Sequence, residues 1–432
     1  MAESPGMRVL VFEPQFAGHN LTYVMHLVTR LVAMKCDVHL VTSKQAVESE
    51  EFSNHLGHLV GSYECHALDG FVQRPRAQGI SVNGPAGNYS IMKGLLHGLR
   101  RVQPGHVFIP FGNPIAHWAG IPNPVSMELR KQSIESELVL LFGKYAYEHR
   151  GWKSHLKERI ALAVLSRGPW TRIHHIVPHA VQVMKSYSDK LASKTYLLPD
   201  PVDRAPEMLR TQAREILGIP LDGRNISLVG LIERRKGVFQ LLEAFAKAIP
   251  DLKHNDRVLL AGKTTEEVKT ALNGRFAGLL QAGRILSIDR HLSANELWAA
   301  CVCANVVCTP YPNHRYSASI VIRAAASGVP LLANSIGWMH EMIHQFSLGV
   351  TCNTNDEASF AKNIRLSLDR SHEFRIGESA KRFVEFHSAQ NFASHLTKRL
   401  SERVGDEAQG MPTLSWESVN EYSKPMASAR VA

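Results

Sequence analysis

Residues 304–338, A-N-V-V-C-T-P-Y-P-N-H-R-Y-S-A-S-I-V-I-R-A-A-A-S-G-V-P-L-L-A-N-S-I-G-W, restrict the chain to few folds. The apolar run Asn305 to Thr309 reads as a buried parallel strand, and Pro310 to Tyr316 as a polar loop. Ser317 and Ser319 are suited to cap the helix that follows, with Ile320 to Ala326 as its body. Gly328 stops that helix, and Leu331 to Ala333 forms the next strand. This is a βαβ crossover. Its strand-to-helix loop offers backbone N–H groups and the positive end of a helix dipole, the place where α/β proteins hold phosphate.

The same rhythm recurs along the chain. Met7 to Phe12 is a strand, Glu13 to His19 a loop, Asn20 a helix N-cap, and Asp37 to Thr42 a second strand. Gly18 and His19 thus sit in the first strand-to-helix loop, where the backbone comes close to a ligand. Residues 48–105 carry little pattern and read as a helix or two plus an irregular loop. Strands return at His106 to Ile109 and Glu137 to Phe142, ending in Pro110 to Asn113 and in Gly143-Lys144-Tyr145. Further strands are expected at Ile173 to Val177 and Thr195 to Leu198.

In the second half, strands at 226–231, 257–261 and 285–288 alternate with helices at 238–249 and 293–303. The alternation gives an α/β fold class: two doubly wound, Rossmann-like domains. Residues 7–198 are the N-terminal, acceptor-side domain; 199–206, stiffened by Pro199, Pro201 and Pro206, are a hinge. Residues 207–385 are the C-terminal domain, 386–404 a C-terminal helix, and the polar, aperiodic stretch 405–432 a mobile tail.

At 432 residues the chain suits two domains. An apolar fraction of 44% and a charged fraction of 20% exclude the disordered and fibrous classes. No apolar run is long enough to span a bilayer, and the N-terminus lacks the pattern of a secretory leader, so the expected compartment is the cytoplasm. The net charge of +10 favours anionic partners, but no nucleic-acid reading motif is present, and no nucleic acid is expected. Cys301, Cys303 and Cys308 cluster; they read as buried hydrophobic side chains rather than metal ligands.

Two basic features stand out. The turn G-L-I-E-R-R-K-G at 230–237 places Arg234, Arg235 and Lys236 at the mouth of a helix, where cations oppose the dipole and call for an anionic partner. A second glycine turn, Ala261-Gly262-Lys263, falls on the same side of the sheet. Between Lys144 and Arg172, seven basic residues face two acidic ones, an excess of five. There Trp152, Leu156, Ile160 and Ala163 share one helical face. The segment reads either as an ordinary amphipathic surface helix or as a peripheral contact with an anionic membrane.

Together these features resemble the GT-B glycosyltransferases, in particular the retaining group that uses nucleotide-diphosphate sugars, with two Rossmann-like domains facing across a cleft. The likeness covers residues 7 to about 400. It is carried by G-L-I-E-R-R-K-G-V-F-Q-L-L-E-A-F and by S-I-V-I-R-A-A-A-S-G-V-P-L-L-A. The resemblance implies that Lys236 neutralises the donor diphosphate, with Arg234 or Arg235 replacing the arginine that the family carries where this chain has Leu231. Gly18, Gly262, Lys263, Ser317 and Ser319 complete the expected donor site.

The family's two glutamates fall on Arg315 and Arg323. A guanidinium has no acceptor for ribose hydroxyls, so Arg323 is expected to contact phosphate instead. Asn313, His314 and Ser317 are the candidates for the sugar-facing role. The family's first-domain histidine falls near Gly143-Lys144, which makes Lys144 and His19 candidates for the catalytic role, with His117 as another imidazole in a loop.

The activity implied is transfer of a sugar from a nucleotide-diphosphate donor to a hydroxyl acceptor, a glycan or a lipid-linked one, with retention and without a bound metal or other cofactor. A non-catalytic module that binds a nucleotide or a partner enzyme is the alternative. A nucleotide-sugar epimerase is a third reading and would need carboxylates such as Glu13 and Glu233.

Overall fold

The computed structural model describes residues 6–16, 20–69, 85–143, 147, 151–405 and 413–423. The chain forms two compact units. Met1–Pro201 and Ala389–Thr413 make the first, Val202–Ser388 and Leu414–Ala432 the second.

Among the described residues, the first unit is built on seven parallel strands: β1 Arg8–Phe12, β2 Asp37–Ser43, β3 Glu64–Leu68, β4 His106–Ile109, β5 Glu135–Leu140, β6 Arg172–His175 and β7 Thr195–Leu197. Their order is β3-β2-β1-β4-β5-β6-β7, so the sheet turns back on itself between β1 and β4. Runs such as Val9, Leu10 and Val11 are fully buried, as expected of a sheet covered by helices on both faces. Strand β3, E-C-H-A-L, falls in the stretch with little sequence pattern. It is an edge strand, and its exposed residues break the apolar run that marks the central strands.

The helix Ala389–Val404 joins this first unit. Its Phe392 ring lies 5.0 Å from that of Tyr23 on the helix Asn20–Ala33, and Leu396 and Leu400 are buried.

The second unit carries β8 Arg224–Val229, β9 Asp256–Ala261, β10 Ile285–Ile288, β11 Val306–Thr309, β12 Leu331–Asn334 and β13 Gly349–Cys352. Their order is β10-β9-β8-β11-β12-β13, and every pair is parallel. The reversal falls between β8 and β11, the topological switch point where open α/β sheets take their ligands.

One expectation is corrected near the C-terminus. Within the supposed mobile tail, Trp416–Asn420 is a helix capped by Ser415, whose hydroxyl accepts from Ser418 N at 3.2 Å. Trp416 anchors it by packing on Phe346 and Phe386, with ring centroids 5.6 and 5.0 Å apart, and Val419 is fully buried.

Candidate functional site

In the second unit, three loops leave the carboxyl ends of neighbouring strands: 230–237 after β8, 262–265 after β9 and 310–318 after β11. The first two are in backbone contact. Gly230 has φ +94° and Gly262 φ +136°, and a Cβ on Gly262 would meet the Gly230 carbonyl oxygen at 2.1 Å. A Cβ on Gly230 would lie 2.6 Å from Lys236 Nζ. The glycine at 230 therefore leaves room for the ammonium.

That ammonium is the centre of the site. Lys236 Nζ donates to the carbonyl of Val229 at 3.0 Å and lies 5.6 Å from the ring centroid of Tyr311, which is buried at the end of β11. Burial lowers its pKa to about 8, Arg235 adds to the fall, and Glu233 opposes it. Among the described residues no carboxylate pairs with it.

The neighbouring arginines behave otherwise. Arg234 Nε donates to Glu267 Oε1 at 2.8 Å and its guanidinium lies 4.6 Å over Phe239, while Arg235 pairs with Glu233. The anion expected to balance this turn is thus supplied for two of its three cations by the protein's own carboxylates. Lys263 is likewise 3.7 Å from Asp289.

The 310–318 loop is held from behind. Thr354 Oγ1 donates to Pro310 O at 2.6 Å and Asn334 Nδ2 to Tyr311 O at 3.2 Å. His314 Nε2 is 3.0 Å from Ser317 O, and its ring meets those of Tyr311 and Tyr316 edge-on. The helix that follows is Ser319–Ala326. Its N-cap is Ala318, with no side-chain cap, so neither Ser317 nor Ser319 acts as expected; Ser319 is instead the first helical residue. A helix start without a side-chain cap is suited to an anion.

Asn313 is exposed on the same loop. Arg315 contributes its carbonyl, which accepts from Trp338 N at 3.0 Å. Arg323 lies in the second turn of the helix, with its guanidinium 4.8 Å over the buried indole of Trp298. The structure thus places Lys236, Gly262, Ser317 and Asn313 on three adjoining loops, with Ser319 starting the helix after the third, and ties Arg234, Arg235, Lys263 and Arg323 to partners of their own. Tyr311 escaped the sequence reading, because a tyrosine after a strand carries no signal until its neighbour across the crevice is known.

In the first unit, Gly18, His19 and Lys144 lie outside the described residues. At the end of β1, beside that sheet's own switch point, Glu13 is buried and its carboxyl is pushed well above the usual range by burial, although Gln15 N donates to it at 2.9 Å. His117 lies in a turn, as expected, but it is packed there: Nδ1 is 3.2 Å from Ala161 O, and burial lowers its pKa. Cys301, Cys303 and Cys308 are all buried, and burial raises each thiol, as expected of apolar filling.

The helix Gly151–Arg167 turns its apolar stripe outward. Trp152 is 72% exposed, Leu156 51% and Ile160 54%, while Leu162, Leu165 and Ser166 are buried. Its inward apolar face is therefore Leu162 and Leu165, not the stripe of Trp152, Leu156 and Ile160. Among the described residues, no helix is long and apolar enough to cross a membrane.

The sequence of the second unit matches a known family model. Residues 210–387 match Glycosyl transferases group 1. D-inositol 3-phosphate glycosyltransferase of Corynebacterium urealyticum is 28% identical over 206 residues, 44% of this chain and 46% of that protein. The chain spans about half the length of the curated relatives it matches.

Among solved structures, sucrose-phosphate synthase from Thermosynechococcus elongatus superposes with a TM-score of 0.65 at 16% identity, covering 92% of this chain and 99% of that one. Anabaena HepE in complex with UDP and glucose superposes with a TM-score of 0.59 at 11% identity, covering 92% and 99%. Residues 210–387 thus match the glycosyl transferases group 1 family, and the two parallel α/β units have the GT-B fold of these solved structures.

Proposed function

We propose that the chain transfers a sugar from a nucleotide-diphosphate donor to a hydroxyl acceptor. The observation that carries this reading is Lys236, a half-buried ammonium with no carboxylate partner among the described residues, set at the switch point beside a helix whose N-cap residue, Ala318, gives no side-chain cap. A diphosphate bound there meets the ammonium and the N–H groups of Ser319 and Ile320, and the same cation stabilises the diphosphate as it departs. A lysine balancing the leaving group can take the place of a metal in that role, and retention is proposed only from the resemblance of the motifs at 230–245 and 319–333. HepE holds UDP and glucose, which supports a nucleoside diphosphate as the carrier.

A panel of UDP, GDP, ADP and CMP compounds tests the reading by thermal stability, since a ligand of the folded state raises its melting temperature. One nucleotide class should stabilise the wild type and leave Lys236→Ala unmoved. Arg323→Ala decides the role of that residue. If Arg323 leaves Trp298 to hold a phosphate, the ligand-induced shift falls with it; if it only stacks, the shift survives. The absence of a shift with any nucleotide would overturn the transferase reading.

Arg315 and Arg323, in place of two carboxylates, favour a second reading, a non-catalytic nucleotide-binding module. Binding without donor hydrolysis or transfer to any acceptor would select it.

The acceptor surface is assigned to the first unit, where the exposed stripe of Trp152, Leu156 and Ile160 beside Lys153 and Lys157 suits an anionic lipid interface and a lipid-linked acceptor. Co-sedimentation with vesicles of anionic lipid should be strong at low salt. It should fall with Trp152→Glu plus Leu156→Glu, and be absent with neutral vesicles.

A further inference from the structure

Far along the first sheet from its ligand side, near the amino ends of β2 and β3, three side chains converge. His39 pairs directly with Glu64 in the strand register, and His66 lies two residues further along β3 on the same face. His39 Nδ1 is 3.0 Å from His66 Nε2 and 3.4 Å from Glu64 Oε2, and His66 Nε2 is 3.5 Å from Glu64 Oε1. The two imidazoles are buried and stacked, with planes 11° apart, while the glutamate is exposed.

These separations have a specific meaning. Ligand atoms about 2.0–2.1 Å from a tetrahedral zinc ion are separated by about 3.3–3.4 Å, the edge of the tetrahedron. The three distances here scatter around that value. The outer nitrogen of His39 is also set as in metal sites: Nε2 lies 3.2 Å from Asp37 Oδ1, and Asp37 is in turn held by Arg8 Nε at 2.9 Å. A carboxylate this near the far nitrogen favours the tautomer protonated there, with the Nδ1 lone pair facing the other two ligands.

We propose that His39, His66 and Glu64 bind one divalent transition-metal ion of the zinc class. The ion ties the edge strand β3 to β2, with its fourth position on the side of the exposed glutamate. Two imidazoles and one carboxylate suit zinc and its neighbours rather than magnesium or calcium, which prefer oxygen-only shells. The site lies on the first sheet at the opposite strand ends from the loops that carry Glu13, so its part is to hold the sheet edge, not to take part in transfer.

The test uses the full chain without a histidine tag, stripped by chelator and titrated with Zn²⁺ against a chromophoric competitor. One ion per chain should bind, and the melting temperature should rise with it. Co²⁺ should give a tetrahedral-type visible spectrum without a thiolate charge-transfer band, which excludes the neighbouring Cys65. His66→Gln should abolish the stoichiometric site. Asp37→Asn should weaken it about 10–100-fold, the usual effect of losing an outer-shell partner. Cys65→Ser should leave it unchanged.

Glu64→Gln, at an exposed position, keeps the test clear of misfolding and should lower affinity at least tenfold. Failure of the wild type to bind one ion, or equal binding by wild type, His66→Gln and Glu64→Gln, would overturn the proposal and leave the pair as a simple N–H···N hydrogen bond.

Discussion

Lys236→Met is expected to lower donor-dependent turnover about 10²–10³-fold, the usual effect of removing one preorganised group that stabilises transition-state charge. It should also abolish the nucleotide-induced rise in melting temperature, while the free variant melts no lower than the wild type. These effects have opposite signs because the ammonium is charged in a place that disfavours charge. Its pKa, lowered to about 8, means that the unfolded chain holds the proton more firmly. Between pH 8 and the ordinary lysine value of 10.5, the stability of the ligand-free protein therefore rises with pH as the folded side chain becomes neutral. Affinity for a diphosphate runs the other way and falls as pH rises through about 8. Differential scanning fluorimetry from pH 7 to 10, with and without nucleotide, reads both trends. A variant that melts well below the wild type would show that Lys236 is structural, not held in place for a ligand.

Removing the carboxylate from the core of the first sheet should cost more stability than any surface change. Glu137 on β5 is buried between two histidines of the flanking strands: His174 Nε2 donates to Oε2 at 2.6 Å, and His106 Nε2 lies 3.3 Å from Oε1. Burial alone would raise this carboxyl, but the hydrogen bonds and charges of His106 and His174 outweigh it and bring the pKa down to about 2.

Glu137→Ala leaves buried His174 without its acceptor and removes the carboxylate beside buried His106, and a loss of about 3–5 kcal/mol is expected. For a unit of this size that corresponds to a fall of roughly 6–20 °C in its melting transition. The triple variant His106→Leu, Glu137→Met, His174→Leu should recover most of the loss, because an apolar set of similar volume carries no desolvation penalty. If Glu137→Ala melts within a degree or two of the wild type, the cluster contributes nothing.

Acid dependence follows with a definite sign. His175, fully buried, has its pKa lowered to about 3 by burial, so below pH 6.5 only the unfolded chain takes up its proton. Stability should therefore decline from about pH 6.5, by about 1.4 kcal/mol per pH unit from this group. The contribution of Glu137 is complete above its ordinary value of 4.5 and is lost as pH falls from there through about 2, so the decline steepens below pH 4.5. Urea melts between pH 3 and 8 would follow both slopes.

The central strands were legible because a strand buried on both faces is apolar throughout, and helix stops at glycine punctuate them. Two edge strands, Thr195–Leu197 and Ile285–Ile288, were legible as well, but Glu64–Leu68 and Gly349–Cys352 were not. Glu64 to Leu68 alternates polar and apolar residues in a stretch of weak pattern, so the His39, Glu64 and His66 cluster has no signature in one dimension; it exists only because the register sets His39 opposite Glu64.

Lys236 was legible from its glycine turn. The satisfaction of Arg234 was not, since its partner Glu267 lies 33 residues away on another helix. Nor could periodicity tell which face of Gly151–Arg167 is covered. The pattern shows a stripe, and only packing shows that Leu162 and Leu165 turn inward instead of Trp152 and Leu156.

The route of the chain bears on how the protein can be divided. It passes from the first unit to the second at Pro201, returns at Ala389, and leaves again after Thr413. A fragment ending at Pro201 would lack the helix Ala389–Val404, whose Phe392, Leu396 and Leu400 are buried against the first unit, and would expose that surface to aggregation. Recombining this chain with a relative of different specificity thus requires three junctions rather than one. A hybrid joined only at Pro201 inherits a foreign helix over its own N-terminal half, which makes the C-terminal segment the part whose mismatch decides whether such a hybrid folds.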